Sequence, residues 1–414
     1  MTGPIERSGI TAFLSRHGRA LALVLFFAAY YVRFIKKPDG MTLYPLAATA
    51  LLESRSLESV APGFTYPPVF AFLMIPFAPM PMWLRNLVWY AVLISATILS
   101  WRICESLVTT MVQDLWKNGT RNWLRFVTMI LSLKVTLAVF ENQAYDVVVF
   151  LCILLGLNGL INRKEAVGAF GFAAAAALKA TPLLLFPYLL LRRRWKLFLF
   201  SVVFYLGFSL LPDLFFTPKE TSSGYFATWL REIALGMSPT KDNEGAPRQW
   251  EEPNPLNQSL RGLLFRMSDK AGNGEGKNYR AGIVYGIYGL LVLWFLLRSS
   301  YMENPFVLDV AVLLISMLLL SPMSSKSHFV VLILPYMLAT AMVIKEQRFR
   351  WMGGTLLGLS FALITLTSRD IIGSRLSNVC LSAGCVTYGT LILLFSLGYM
   401  MWSVTNKPME EPSS

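Results

Sequence analysis

"AVGAFGFAAAAALKATPLLLFPYLLLRRRWK", residues 166–196, is a long apolar run closed by a basic cluster. A helix crosses the hydrocarbon core of a bilayer with roughly 20 mostly apolar residues, so the run from 166 to 191 reads as one membrane span. Arg192, Arg193, Arg194 and Lys196 mark its cytoplasmic end by the positive-inside rule. Comparable runs centre near residues 19–34, 67–82, 86–104, 124–140, 145–161, 195–213, 280–298, 305–321, 328–344, 351–367 and 380–402. They predict an all-α polytopic transmembrane bundle of about 12 spans. Composition agrees: 55% of the 414 residues are hydrophobic. The short alternating strands of an outer-membrane barrel are absent from the pattern.

The expected organisation is a cytoplasmic segment at 1–18, a single transmembrane domain at 19–402 and a tail at 403–414. Arg7, Arg16 and Arg19, the cluster at 192–196 and "KEQRFR" at 345–350 go to the cytoplasm. Residues 35–66 and 214–279 then form the outer loops. Lys36, Lys37, Lys117, Arg121 and Arg125 fall on the outer side in this count, against the rule. The net charge of +13 reports loops that orient a membrane chain and gives no reason to expect nucleic acid. Cys104, Cys152, Cys380 and Cys385 lie in or beside apolar runs without metal-ligand spacing, and read as packing residues. The first apolar run lacks a small-residue cleavage site and reads as a retained helix.

Charged residues within apolar runs are functional candidates, because they face a cavity or a partner. Lys179 stands among alanines shortly before Pro182; it either serves a cavity or pairs with a structural carboxylate. "FENQAYDVV" groups Glu141, Asn142, Gln143 and Asp146 as a polar site or as a loop and cap, with Lys134 a structural partner for one of the carboxylates. In "IKKPDGMTLYPLAATALLES", Asp39 precedes a short helix expected at the membrane surface; Glu53 and Glu58 compete with it for any catalytic role. "LLLSPMSSKSHFVVL", residues 318–332, sets Ser321, Ser324, Lys326, Ser327 and His328 between two apolar runs, as an anion clamp or as a helix cap.

Taken in order, "DGMTLYPLAATALLES", "YPPVFAFLMIPFAPMP", "NQAYDVVVFLCILLGLNGL", "AVGAFGFAAAAALKATPLLLFPYLLLRRRW", "NQSLRGLLFR" and "SPMSSKSHFVVLILPY" resemble successive blocks of glycosyltransferase family 87, from about residue 39 to 338. The resemblance implies the C-type membrane glycosyltransferase fold. It also implies transfer of a hexose, usually mannose, from a polyprenyl-phosphate carrier to a lipid or glycan acceptor at the outer face of a cell membrane. The catalytic aspartate of the family lies in the first outer loop, where Asp39 matches. Of the family's Ser-Pro-x-Ser-Trp-x-His-His, this chain keeps Ser321, Pro322, Ser324 and His328, with Ser325 and Ser327 replacing the tryptophan and the first histidine. Of Gly-Gln-x-Asn it keeps only Gln143. Tyr66, Asn142, Asp146, Asn257 and Gln258 complete the polar candidates within these blocks.

An acceptor hydroxyl needs a base as it attacks the anomeric carbon, and Asp39 is the candidate. The departing lipid phosphate needs fixed cations and donors. His328, Lys326, Ser324 and Ser327, with Lys179, Arg261 and Arg266, could supply them. One base without a covalent partner implies inversion. No Asp-x-Asp pair appears in the outer loops, so neither metal nor cofactor is expected. Tyr225, Trp229 and Trp250 could stack on sugars or anchor at the interface. The rival readings are a secondary transporter or lipid flippase, for which two symmetric halves would argue, and a non-catalytic polysaccharide-assembly subunit.

Overall fold

The computed structural model describes residues 25–37, 39–112, 119–220, 222–235, 254–270 and 277–405. The segment 1–18, Arg19, Lys117, Trp250 and the tail beyond 405 lie outside the described residues. Among the described residues all regular structure is helical. Among these described residues, seven helices have the length and hydropathy of membrane spans. They include α5 (Met82–Met111), α6 (Thr120–Glu141), α10 (Trp195–Phe215) and α18 (Cys385–Thr405). Five shorter apolar helices of 10–17 residues join them: α1 (Leu25–Ile35), α7 (Asp146–Ile161), α8 (Glu165–Leu178), Thr181–Leu191, which ends in α9 (Leu185–Leu191), and α14 (Phe306–Leu320). α14 is buried on every side from Val307 to Leu319 and forms the centre of the bundle, as an all-round apolar helix must.

Two expected spans differ from the structure. The run at 67–82 holds only a six-residue helix, α4 (Pro68–Leu73), and a 3-10 turn, Ile75–Phe77. Pro67, Pro68 and Pro76 stand in it, and each proline lacks an N–H and restricts the residue before it. The run at 166–191 is two helices, because α8 stops at Leu178 and Lys179 is extended (φ −152°, ψ 132°) three residues before Pro182. One crossing fewer and one more keep the 192–196 cluster at the end of the bundle opposite Asp39 while moving what lies between. Glu141, at the end of α6, and Asp146, at the start of α7, therefore share an end of the bundle with Asp39. Arg121 and Arg125 pair with Glu105 near the opposite end, the end of the 192–196 cluster.

The expected surface helix is present as α2 (Asp39–Leu52), but Met41, Tyr44, Ala47, Ala48 and Leu51 are buried. The block "NQSLRGLLFR" runs into α12 (Leu260–Lys270). Tyr225 and Trp229, in α11 (Tyr225–Trp229), are also buried. Their polar atoms donate to the Arg55 and Thr65 carbonyls at 3.0 Å, so they tie the two outer segments together and are not open to a sugar.

α7 and α8 form an antiparallel hairpin of unusually close approach. A Cβ on Gly159 would lie 2.4 Å from the Gly168 backbone nitrogen, and one on Gly171 would lie 2.5 Å from that of Gly156. Small residues are what let two membrane helices meet backbone to backbone. An antiparallel hairpin brings its open ends together, here Asp146 and Lys179.

Candidate active site

The break after α8 exposes the Leu178 carbonyl, and the Tyr145 hydroxyl donates to it at 3.0 Å. Lys179 Nζ then reaches Asp146 Oδ1 at 2.6 Å. The same oxygen lies 3.7 Å from His328 Nε2. His328 sits in the 3-10 helix Lys326–Leu332, where the Ser325 N–H donates to its Nδ1 at 3.3 Å. Nδ1 accepts there, and Nε2 is the ring nitrogen that lies towards Asp146.

The three groups line a narrow pocket with Thr181, Ser321 and Ser324, walled by Val149, Ile153, Met317, Leu318 and Val331. Its free volume of about 20 Å³ holds a single water and no sugar ring, so a substrate at this place meets the pocket at its mouth. On one flank Tyr145 stacks on Phe70 at 4.2 Å and meets Tyr66 edge-on at 4.9 Å. Tyr66 is thereby part of an aromatic wall beside Asp146.

The other expected site residues divide into those near this pocket and those holding the frame. Asp39 is exposed at the first turn of α2 and does not line the pocket. It is tied to the same end through its neighbours: the Met41 N–H donates to Gln143 Oε1 at 2.8 Å, and a Cβ on Gly40 would lie 2.9 Å from that of Gln143. Gln143 is fully buried with φ +50°. It also donates to Phe34 O and Asn86 Oδ1 and accepts from Trp89 Nε1, so it is a structural hub and presents no polar atom to a ligand. Asn142 is exposed and donates to the Ala138 carbonyl. Glu53 and Glu58 lie further along the first outer segment, Glu53 beside Arg55 at 3.7 Å.

The Ser324 hydroxyl donates to the Leu318 carbonyl at 2.6 Å, so its proton is committed to ending α14. Ser327 Oγ lies 3.2 Å from Ser325 Oγ. His328 and Ser325 form a capping box, so the polar knot is a helix cap and, through His328, a pocket wall as well. Asn257 and Gln258 are fully buried. Asn257 Oδ1 accepts from the Ser324 N–H at 3.1 Å and the Gln258 N–H donates to Ser324 O at 2.7 Å, which fastens the second outer segment to the knot. Arg266 donates to the Asn254, Asn257 and Ser382 carbonyls and is buried, which makes it a tie between backbone segments. Arg261 is exposed on α12.

Sequence reasoning missed two parts. Thr181 lines the pocket, and its position in Lys179-Ala180-Thr181-Pro182 was the available signal. The second is a charge network at the same end. Lys134 reaches Glu141 at 3.1 Å, as expected for a structural partner, and also Asp370; Arg33 reaches the same two carboxylates at 3.0 and 2.9 Å. Hydrogen bonds from Lys134 and Arg33 hold the Asp370 carboxyl down at about 2. Lys326 is partly buried and feels the charges of Lys134, Glu141 and Asp370. Asp370 opens a helix distant in sequence, and no spacing could have announced it. No cluster of three or more potential metal ligands occurs among the described residues.

No curated protein and no solved structure matches the chain. The model of a protein family described as Glycosyltransferase family 87 matches residues 64–322. That stretch contains Tyr66, Gln143, Asp146, Lys179, Asn257 and Gln258, while Asp39 lies well before it and Lys326 and His328 just after it. Well over half of the sequence is covered, and the chain belongs to glycosyltransferase family 87, a membrane glycosyltransferase.

Proposed function

We propose that this chain transfers a hexose, mannose by family resemblance, from a polyprenyl-phosphate carrier to a lipid or glycan acceptor, with inversion at the anomeric carbon. The acceptor oxygen bonds to that carbon, the bond from carbon to the phosphate oxygen breaks, and the acceptor proton passes to Asp39. The lipid phosphate leaves with the bonding electron pair and an added negative charge. Lys179 and His328 receive it, while Lys326 belongs with the charges of Lys134, Glu141 and Asp370. The observation that carries this reading is a lysine and a histidine sharing one buried carboxylate, Asp146, in a pocket too small for a sugar. A phosphate oxygen entering that mouth competes with Asp146 for both donors, and fixed donors in a water-poor site stabilise such charge most.

The site end is taken as the outer face. Arg192–Arg194 and Arg348 lie at the opposite end, where the positive-inside rule puts the cytoplasm. Under this reading the enzyme works at the exterior side of a cell membrane and needs neither metal nor cofactor. The test is turnover by the purified full-length chain in vesicles. Polyprenyl-phosphate mannose should support transfer to an extracted lipid or glycan acceptor. Transfer from a nucleotide sugar without carrier lipid would overturn the donor assignment.

A further inference from the structure

α17 (Arg369–Ala383) turns into α18 at Gly384, which takes the left-handed conformation (φ 80°, ψ 29°). The Gly384 N–H reaches back to the Cys380 and Leu381 carbonyls, the latter at 3.0 Å. A cap of this kind folds the chain so that the side chain just after the glycine meets the one three residues before the end of the helix. Here those two are Cys385 and Cys380. A disulfide needs its Cβ atoms roughly 3.5–4.5 Å apart, the distance of side chains in contact. Both cysteines are thiols, both are partly exposed, and the two side chains interact across the turn. Cys104, by contrast, is buried within α5, and Cys152 lies inside α7.

The corner belongs to the end of the bundle that holds the site. Gln258 Nε2 donates to the Leu381 carbonyl at 2.8 Å, and Arg266 Nε donates to that of Ser382 at 3.1 Å. A Cβ on Gly384 would stand 2.5 Å from Leu263 Cδ1, so α12 packs onto the glycine itself. At the start of α17, Asp370 pairs with Lys134 and Arg33, in the network beside Glu141. This end is the outer face under the function proposed above. Thiols exposed on an exterior face meet an oxidising compartment, where disulfides form and persist.

We infer that Cys380 and Cys385 close into a disulfide across the α17–α18 corner at the outer face. The inference rests on the outer-face reading of the proposed function. In the bond-forming step one cysteine thiolate attacks a disulfide supplied from outside, either a small-molecule disulfide or an oxidised dithiol. The second thiolate then displaces that reagent from the mixed disulfide. The pair gives up two protons and two electrons, and the external disulfide departs with them as two thiols. The ring encloses four intervening residues, so the bond pins this one turn. Through the Leu381 and Ser382 carbonyls it also holds the seat of Gln258 and Arg266.

The full-length chain is expressed in its membrane, its thiols are blocked with N-ethylmaleimide as the cells are quenched in acid, and the denatured protein is digested with trypsin. The peptide beginning at Leu376 carries both cysteines, since no Lys or Arg follows before Lys407. It should bear no maleimide, weigh two hydrogens less than the dithiol, and take two labels only after reduction. Cys104 and Cys152 should be labelled without reductant. Two maleimides on the Leu376 peptide before reduction, or a bond from either cysteine to any other thiol, overturns the proposal. Sidedness is read separately on Ala383→Cys in the Cys380→Ser/Cys385→Ser background, because Ala383 is exposed at the same corner. An impermeant maleimide should label it in intact cells, above the level of the background variant. Labelling from outside with the native pair still reduced removes the disulfide and leaves the outer-face reading standing. Labelling only after lysis removes that reading and the inference with it.

Discussion

Lys179 Nζ lies 2.6 Å from Asp146 Oδ1, across the open end of a glycine-packed hairpin. Asp146 is 6% exposed in its side chain, so its charge depends on that partner. Removing one member of a buried pair leaves an uncompensated charge and costs about 3–5 kcal/mol. Lys179→Met should therefore lower thermal stability in detergent markedly, and the double variant Asp146→Asn/Lys179→Met should recover most of it. Neither should recover transfer. A double variant with normal turnover would remove the pair from the mechanism.

Asp39 is exposed, and its loss should leave stability within about 0.5 kcal/mol. As the base, Asp39→Asn should reduce turnover roughly 10²- to 10⁴-fold. Both quantities are to be measured on one preparation. Near-normal turnover in the folded variant would move the role to Glu53 or Glu58.

The hairpin itself can be tested without touching a polar group. On Gly171 a Cβ would stand 2.5 Å from the Gly156 nitrogen and 2.7 Å from the Cys152 carbonyl oxygen, backbone atoms that cannot step aside alone. Gly171→Ala should push α8 from α7, with overpacking costing about 1–3 kcal/mol. Transfer should fall further than the loss of folded protein explains, because the Asp146 and Lys179 ends separate. A specific activity unchanged per folded molecule would refute that coupling.

A buried pair at the other end supplies the contrast. Asp309 is fully buried, bonded to Arg192 at 2.6 Å, to Tyr188 at 2.9 Å and to Ser299. Asp309→Ala strands a buried guanidinium and should destabilise by about 3–5 kcal/mol. Activity per folded molecule should stay near that of the wild type, which a count of folded protein by size-exclusion chromatography will show.

Much of this was readable along the chain. Apolar run lengths announced an all-helical membrane bundle, since hydrocarbon accepts only backbone that satisfies its own hydrogen bonds. Six ordered blocks pointed to the family, and the isolation of Lys179 among alanines marked a residue with a purpose. The run at 67–82 misled because hydropathy measures apolar length and is blind to how often proline interrupts it. The run at 166–191 misled for a related reason: one extended residue at Lys179 turns one crossing into two helices.

Composition and order in the sequence thus determined the class of fold, the family and most of the polar residues worth examining. Which of them meet was decided by tertiary structure. Gln143, Ser324 and Arg266 look like site residues in one dimension, yet each spends hydrogen bonds on backbone groups: Gln143 on the Met41 N–H, Ser324 on the Leu318 carbonyl and Arg266 on the Asn257 carbonyl. Asp146, Lys179 and His328 lie far apart in the chain and become neighbours only because glycines draw α7 against α8 while the cap at Ser325 turns the imidazole towards them. A hydrogen bond extends about 3 Å, and which groups come within that reach is set by the packing of whole helices.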